Sequence, residues 1–112
     1  MEMAFDDAGI DIIGIQEGRT RVSQRISGIV YEMLVSSASN EGWYGTQIWV
    51  RRSTDFSIQS WVPVCPRLCE AVIVHSPSKR VLHVFSGHAP CEIDKNCRKD
   101  EFWDSPLHFW RL

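Results

Sequence analysis

Apolar and polar residues alternate with a period of two, the mark of a half-buried strand, in several stretches of this chain. Over residues 45–51, Thr46, Ile48 and Val50 alternate with Gln47, Trp49 and Arg51. Over residues 56–64, Phe56, Ile58, Val62 and Val64 share one face, and Pro63 pushes the end of that strand toward a sheet edge. Residues 69–75 and 80–86 flank Ser76-Pro77-Ser78-Lys79, a turn joining two antiparallel strands. Residues 29–36 read as a further strand, with 37–42 as its turn. Residues 10–16 form a β-branched run without polar alternation, which predicts a strand covered on both faces, the kind common in α/β folds. Residues 2–8 read as the last turns of a helix, with Gly9 at the left-handed cap. Residues 19–28 are polar and read as loop. The tail, 96–112, carries Phe102, Trp103, Leu107 and Trp110 at helical spacing, interrupted by Pro106. The pattern is a helix end, about six strands and a helix, and an opening in mid-helix implies that something precedes it.

Composition allows a folded core in a single domain, 1–112: 44% of the 112 residues are hydrophobic and five are Trp. A net charge of −2 gives no global basic field of the kind that marks a nucleic-acid binder. No run is long and apolar enough for a transmembrane helix, so no membrane partner is expected. The start, MEMAFDDAG, lacks the basic and apolar regions of a signal peptide. The expected location is intracellular, cytoplasmic or nuclear. The four cysteines, Cys65, Cys69, Cys91 and Cys97, fit zinc spacing poorly, and reduced thiols are favoured over a disulfide pair or a metal site.

Two expected strand ends carry candidate chemistry. Glu17 and Arg19 follow the strand of residues 10–16, at the end where α/β sheets place ligands. A lone carboxylate with bound waters suits Mg²⁺, and an arginine nearby suits a phosphate oxygen. His88 closes the strand of residues 80–86, in one row with Leu82, Val84 and Ser86, where it can donate to a phosphate or move a proton. Trp43 and Tyr44 introduce another strand and can stack beside nucleotides. Spacing alone favours solvated side chains, a structural histidine and packed aromatics.

Taken in order, Ile10-Asp11-Ile12-Ile13-Gly14-Ile15-Gln16-Glu17 with Arg19, then residues 43–50, then Val84-Phe85-Ser86-Gly87-His88-Ala89-Pro90, then Phe102-Trp103 resemble the endonuclease/exonuclease/phosphatase superfamily. The flavour is that of its apurinic endonuclease-like and LINE retroelement-type nucleases. The resemblance implies an α/β chain of the α+β four-layer sandwich family, here a partial domain with one mixed, mostly antiparallel sheet and flanking helices. It implies Glu17 as a ligand of Mg²⁺ or Mn²⁺, the one ligand in this chain. It further implies His88 as a catalytic group beside the scissile phosphate, and Arg19, Trp43 and Tyr44 as substrate-binding residues. Relatives more often place a Tyr where His88 stands.

The family's opening strand with its active-site Asn is not in this sequence, nor are the later Gly-Asp-x-Asn and Ser-Asp-His segments. Asp94, Asp100 and Asp104 do not stand in those contexts. The expectation is therefore about the first half of a Mg²⁺-dependent phosphodiester hydrolase acting on nucleic acid, inactive alone. The alternative is a non-catalytic remnant or protein-interaction module, whose open sheet is covered by a partner or a second copy.

Overall fold

A computed structural model describes residues 2–16, 20–38 and 45–87. The order is α1 (Glu2–Asp7), β1 (Ile12–Gln16), β2 (Gln24–Ser27), β3 (Tyr31–Ser36), β4 (Thr46–Arg51), β5 (Phe56–Cys65), β6 (Leu68–His75) and β7 (Arg80–Gly87). β1 to β4 form one antiparallel sheet in the order β1-β4-β3-β2, and β5 to β7 a second in the order β5-β6-β7. The two sheets pack face to face. Leu34, Ile48 and Val50 of the first meet Cys69, Ala71 and Ile73 of the second, with Ile12, Phe56, Ile58, Trp61, Leu82 and Val84 closing around them.

This architecture corrects the expected one. The described residues are 61% strand with one short helix, in two antiparallel sheets rather than one mixed sheet flanked by helices, so the chain is not of the α/β sandwich class. The run at residues 10–16 misled because β-branched residues fill any covered strand. β1 is an edge strand with partly buried isoleucines, not one covered on both faces. β4 is the doubly covered strand instead, buried from Thr46 to Val50. Its inner row faces the second sheet. On its outer row Trp49 meets Phe5 of α1 edge to face at 5.9 Å, and Tyr31 also at 5.9 Å.

Two further differences have local causes. β2 falls in the stretch read as loop, because its only apolar residue is Ile26; pairing with β3 makes it a strand. In β5, Ile58 pairs with Ile73 and Ser60 with Val72, leaving Gln59 as an extra residue in a bulge. The bulge resets the alternation, so Trp61 rather than Val62 follows Phe56 and Ile58 onto the core.

α1 ends as its sequence predicts. Gly9 sits at φ +72°, its N–H donates to Asp6 O (2.9 Å), and Ile10 N–H donates to Phe5 O (3.1 Å), the paired bonds of a Schellman cap. Arg51 then ties the helix down, donating to Asp6, to Asp11 (2.9 Å) and to Ile10 O (3.0 Å). Glu2 accepts from the N–H groups of Val30 (3.2 Å) and Tyr31 (3.1 Å), with Ile29 farther off at 3.4 Å. A side chain at Gly28 would collide with that carboxylate and with Tyr31 O.

The expectation of reduced thiols holds for one of the two described cysteines. Cys65 is disulfide-bonded, whereas Cys69 is a free, fully buried thiol. Among the described residues no helix is long and apolar enough to cross a membrane. The expected helix at 96–112 lies outside the described residues.

Candidate functional site

The row order of the strands brings one set of ends together. In β1, Ile12, Gly14 and Gln16 pair with Val50, Ile48 and Thr46, so they share the inner face of the first sheet. Gln16 at the end of that row reaches the second sheet, where its Nε2 donates to Gly87 O at 2.7 Å. Next to it Ser86 Oγ donates to Ile15 O at 3.1 Å. These two bonds clamp the end of β1 to the end of β7 across the sandwich.

β4 begins at the same end, with Thr46 opposite Gln16. Gly45 N–H donates to Pro66 O (2.9 Å), and Ser36 Oγ donates to Cys65 O (2.7 Å), each fastening the first sheet to the turn between β5 and β6. Gln47 Nε2 donates to Thr20 Oγ1 (3.1 Å) while its Oε1 accepts from Trp49 Nε1 (2.7 Å). Ala38 N–H donates to Thr20 O (2.6 Å).

The five candidate residues, Glu17, Arg19, Trp43, Tyr44 and His88, all lie outside the described residues. Their sequence neighbours do not. Gln16 precedes Glu17, Thr20 follows Arg19, Gly45 follows Tyr44 and Gly87 precedes His88. All four neighbours stand at this one end of the sandwich, held by the bonds just given. Sequence reasoning missed Gln16 and Ser86 as the clamp. Their period-2 positions carried the signal, since both continue inner-face rows with a group able to hydrogen-bond across the sheets.

Among the described residues no group of three or more His, Cys, Asp or Glu side chains could hold a metal ion. Most of the amide, hydroxyl and carbonyl groups at this end are spent on one another, while the buried Thr46 hydroxyl has no partner among the described residues. Cys69, in the adjacent core, is no nucleophile. Burial, aided by the charge of neighbouring Glu70, pushes its thiol up to about 12.

Among the described residues an open cavity lies at the opposite end. A cleft of about 540 Å³ is lined by Ile29, Glu32, Val50, Arg51, Arg52, Ser53, Thr54, Phe56 and Ile58. Glu32 follows the inner row of β3, opposite Val50. Its carboxylate accepts from Ser27 Oγ (2.8 Å) and Arg25 Nε (3.0 Å), with Arg52 Nε 3.9 Å away. Partial burial works to raise its pKa. The hydrogen bonds from Ser27 and Arg25 and the charges of Arg25 and Arg52 nevertheless hold it below the ordinary glutamate value.

No protein-family model matches the chain, and no curated protein or solved structure matches it either.

Proposed function

We propose that the chain contributes Glu17 and His88 to divalent-metal-dependent hydrolysis of nucleic-acid phosphodiester bonds, and that it does not cleave them by itself. The observation that supports this is the Gln16–Gly87 hydrogen bond, since the residues next in sequence to its two ends are Glu17 and His88. Thr20 and Gly45, at the same end, are the sequence neighbours of Arg19 and Tyr44.

A metal held here rests on Glu17 and water, because among the described residues no group of three or more His, Cys, Asp or Glu side chains could add to it. Mg²⁺ or Mn²⁺ in such a position supplies Lewis-acid neutralisation of a phosphoryl oxygen. The chain's own groups divide the remaining work. His88 donates a proton to a phosphate oxygen, Arg19 pairs with a second, and Trp43 with Tyr44 packs beside the bases. In the family the sequence resembles, the water-activating base comes from Gly-Asp-x-Asn and Ser-Asp-His segments, which these 112 residues do not contain.

Mn²⁺ added to ¹⁵N-labelled protein tests this. The expected result is paramagnetic broadening of the Gln16 and Gly87 amides that disappears in Glu17→Ala, with no nicking of supercoiled plasmid in Mg²⁺. Broadening that survives the substitution, or centres elsewhere, overturns the metal role. Plasmid nicking that Glu17→Ala abolishes keeps the metal role and overturns the inactivity.

A second reading, a protein-interaction module, draws on β7, where Val81 and Phe85 are about half exposed on one row. A protein that elutes as a monomer at high concentration overturns self-association through that strand.

A further inference from the structure

The cleft at the far end from the Gln16–Gly87 clamp has a chemistry that the proposed hydrolysis does not use. We propose that it binds a small amphipathic anion, an aromatic or aliphatic body carrying one carboxylate or phosphate group. Its walls supply both halves of that ligand. Val50, Phe56, Ile58 and Ile29 give an apolar side, and Ile29 is 83% exposed at the rim, a large side chain that folding leaves in water. The polar side is Glu32 with Arg52, and Arg25, outside the lining, pairs with the same carboxylate from β2.

The nearby charges leave that cluster with a positive excess. Arg51 lines the cleft too, but its guanidinium is engaged with Asp6 and Asp11. Glu2 is committed to the N–H groups of the 29–31 turn. Among the described residues, Glu32 is then the carboxylate that opposes Arg25 and Arg52. Arg25 bonds through Nε alone, and Arg52 uses Nη1 on Gly28 O (2.7 Å). On the cleft wall Arg52 keeps Nη2 for an incoming oxyanion. Its side chain is 50% exposed, so a ligand reaches it without unfolding anything. Charge-assisted bonds from arginine to an oxyanion, beside an apolar wall, select for ligands that have both parts. A volume of about 540 Å³ suits a molecule of roughly nucleotide or aryl-acid size.

Titration of ¹⁵N-labelled protein with 3-phenylpropionate, phenyl phosphate, inorganic phosphate and 3-phenylpropanol tests the proposal. Both aromatic anions are expected to shift the Val50, Phe56 and Ile58 amides, and the better of the two gives the head group. Inorganic phosphate and the neutral alcohol each bind at least ten-fold more weakly. Arg52→Ala weakens the anions about ten-fold, and Thr54→Trp, an exposed position on the rim, blocks the cleft in a chain whose remaining spectrum is unchanged. Shifts centred elsewhere, equal binding of the alcohol, or full binding by both variants overturns it. Glu17→Ala binds as the parent does, which separates this site from the metal site.

Discussion

At Gly9 the chain takes φ +72° to close α1, and the two bonds that depend on this turn are both made. Gly9→Ala should cost about 1 kcal/mol, read as a lower urea midpoint with an unchanged slope. Lys79, at φ +58° in the turn before β7, is the reverse case, a side chain where glycine is easier. Lys79→Gly should raise stability by up to about 1 kcal/mol. Glu2 titrates as an anion held by backbone donors. The Tyr31 N–H is the largest influence keeping its pKa below the ordinary 4.5, with Val30 and Ile29 adding to it. A depressed carboxylate stabilises the fold above its unfolded-state pKa and loses that contribution as pH falls through the folded one. The stability difference between the parent and Glu2→Gln should therefore shrink below about pH 4.5 and be flat above it. Cys69, fully buried with its thiol pushed up to about 12, should react with maleimide only when denaturant unfolds the protein. Labelling under native conditions would contradict its burial.

Gln59 shows what an element owes to one residue. Because it is the extra member of a bulge, deleting it brings Ile58 and Trp61 to regular two-residue spacing on the same face. That deletion should leave a folded protein, judged by dispersed amide resonances, whereas deleting Ser57 turns Phe56 away from the core and should unfold it. Much of this level was legible in the residues: β3, β4, β6 and β7 lie where alternation puts them, and the turn at 76–79 is where Ser-Pro-Ser-Lys stands. β2 was not, since one isoleucine among Gln24, Arg25 and Ser27 has no periodicity to detect. The same misreading hid the cleft cluster, because Arg25 and Ser27 meet Glu32 only once β2 pairs with β3. Burial of β4 on both faces was equally hidden. Gln47 and Arg51 look like a solvent row until α1 and Thr20 supply their partners.

For the whole molecule, two antiparallel sheets place the strand ends next in sequence to the candidate residues at one pole and the charged cleft at the other. The candidate residues themselves are readable only as letters beside those ends, since pattern places strands but not the loops that leave them. The order of strands has a kinetic meaning as well. β5, β6 and β7 pair with their immediate successors, so their contacts are local. β1 instead pairs with β4, Ile12 meeting Val50, and skips the β2–β3 hairpin between them. Closing that large loop costs chain entropy before any contact repays it, and such non-local pairing slows folding. The β5–β7 meander should consequently form early in the transition state and β1 should dock late. Ile73→Val should slow refolding, while Ile12→Val should chiefly speed unfolding. The Gln16–Gly87 bond, which needs both, would then be among the last native contacts to form, so the pole carrying the candidate chemistry is assembled only when folding is nearly finished.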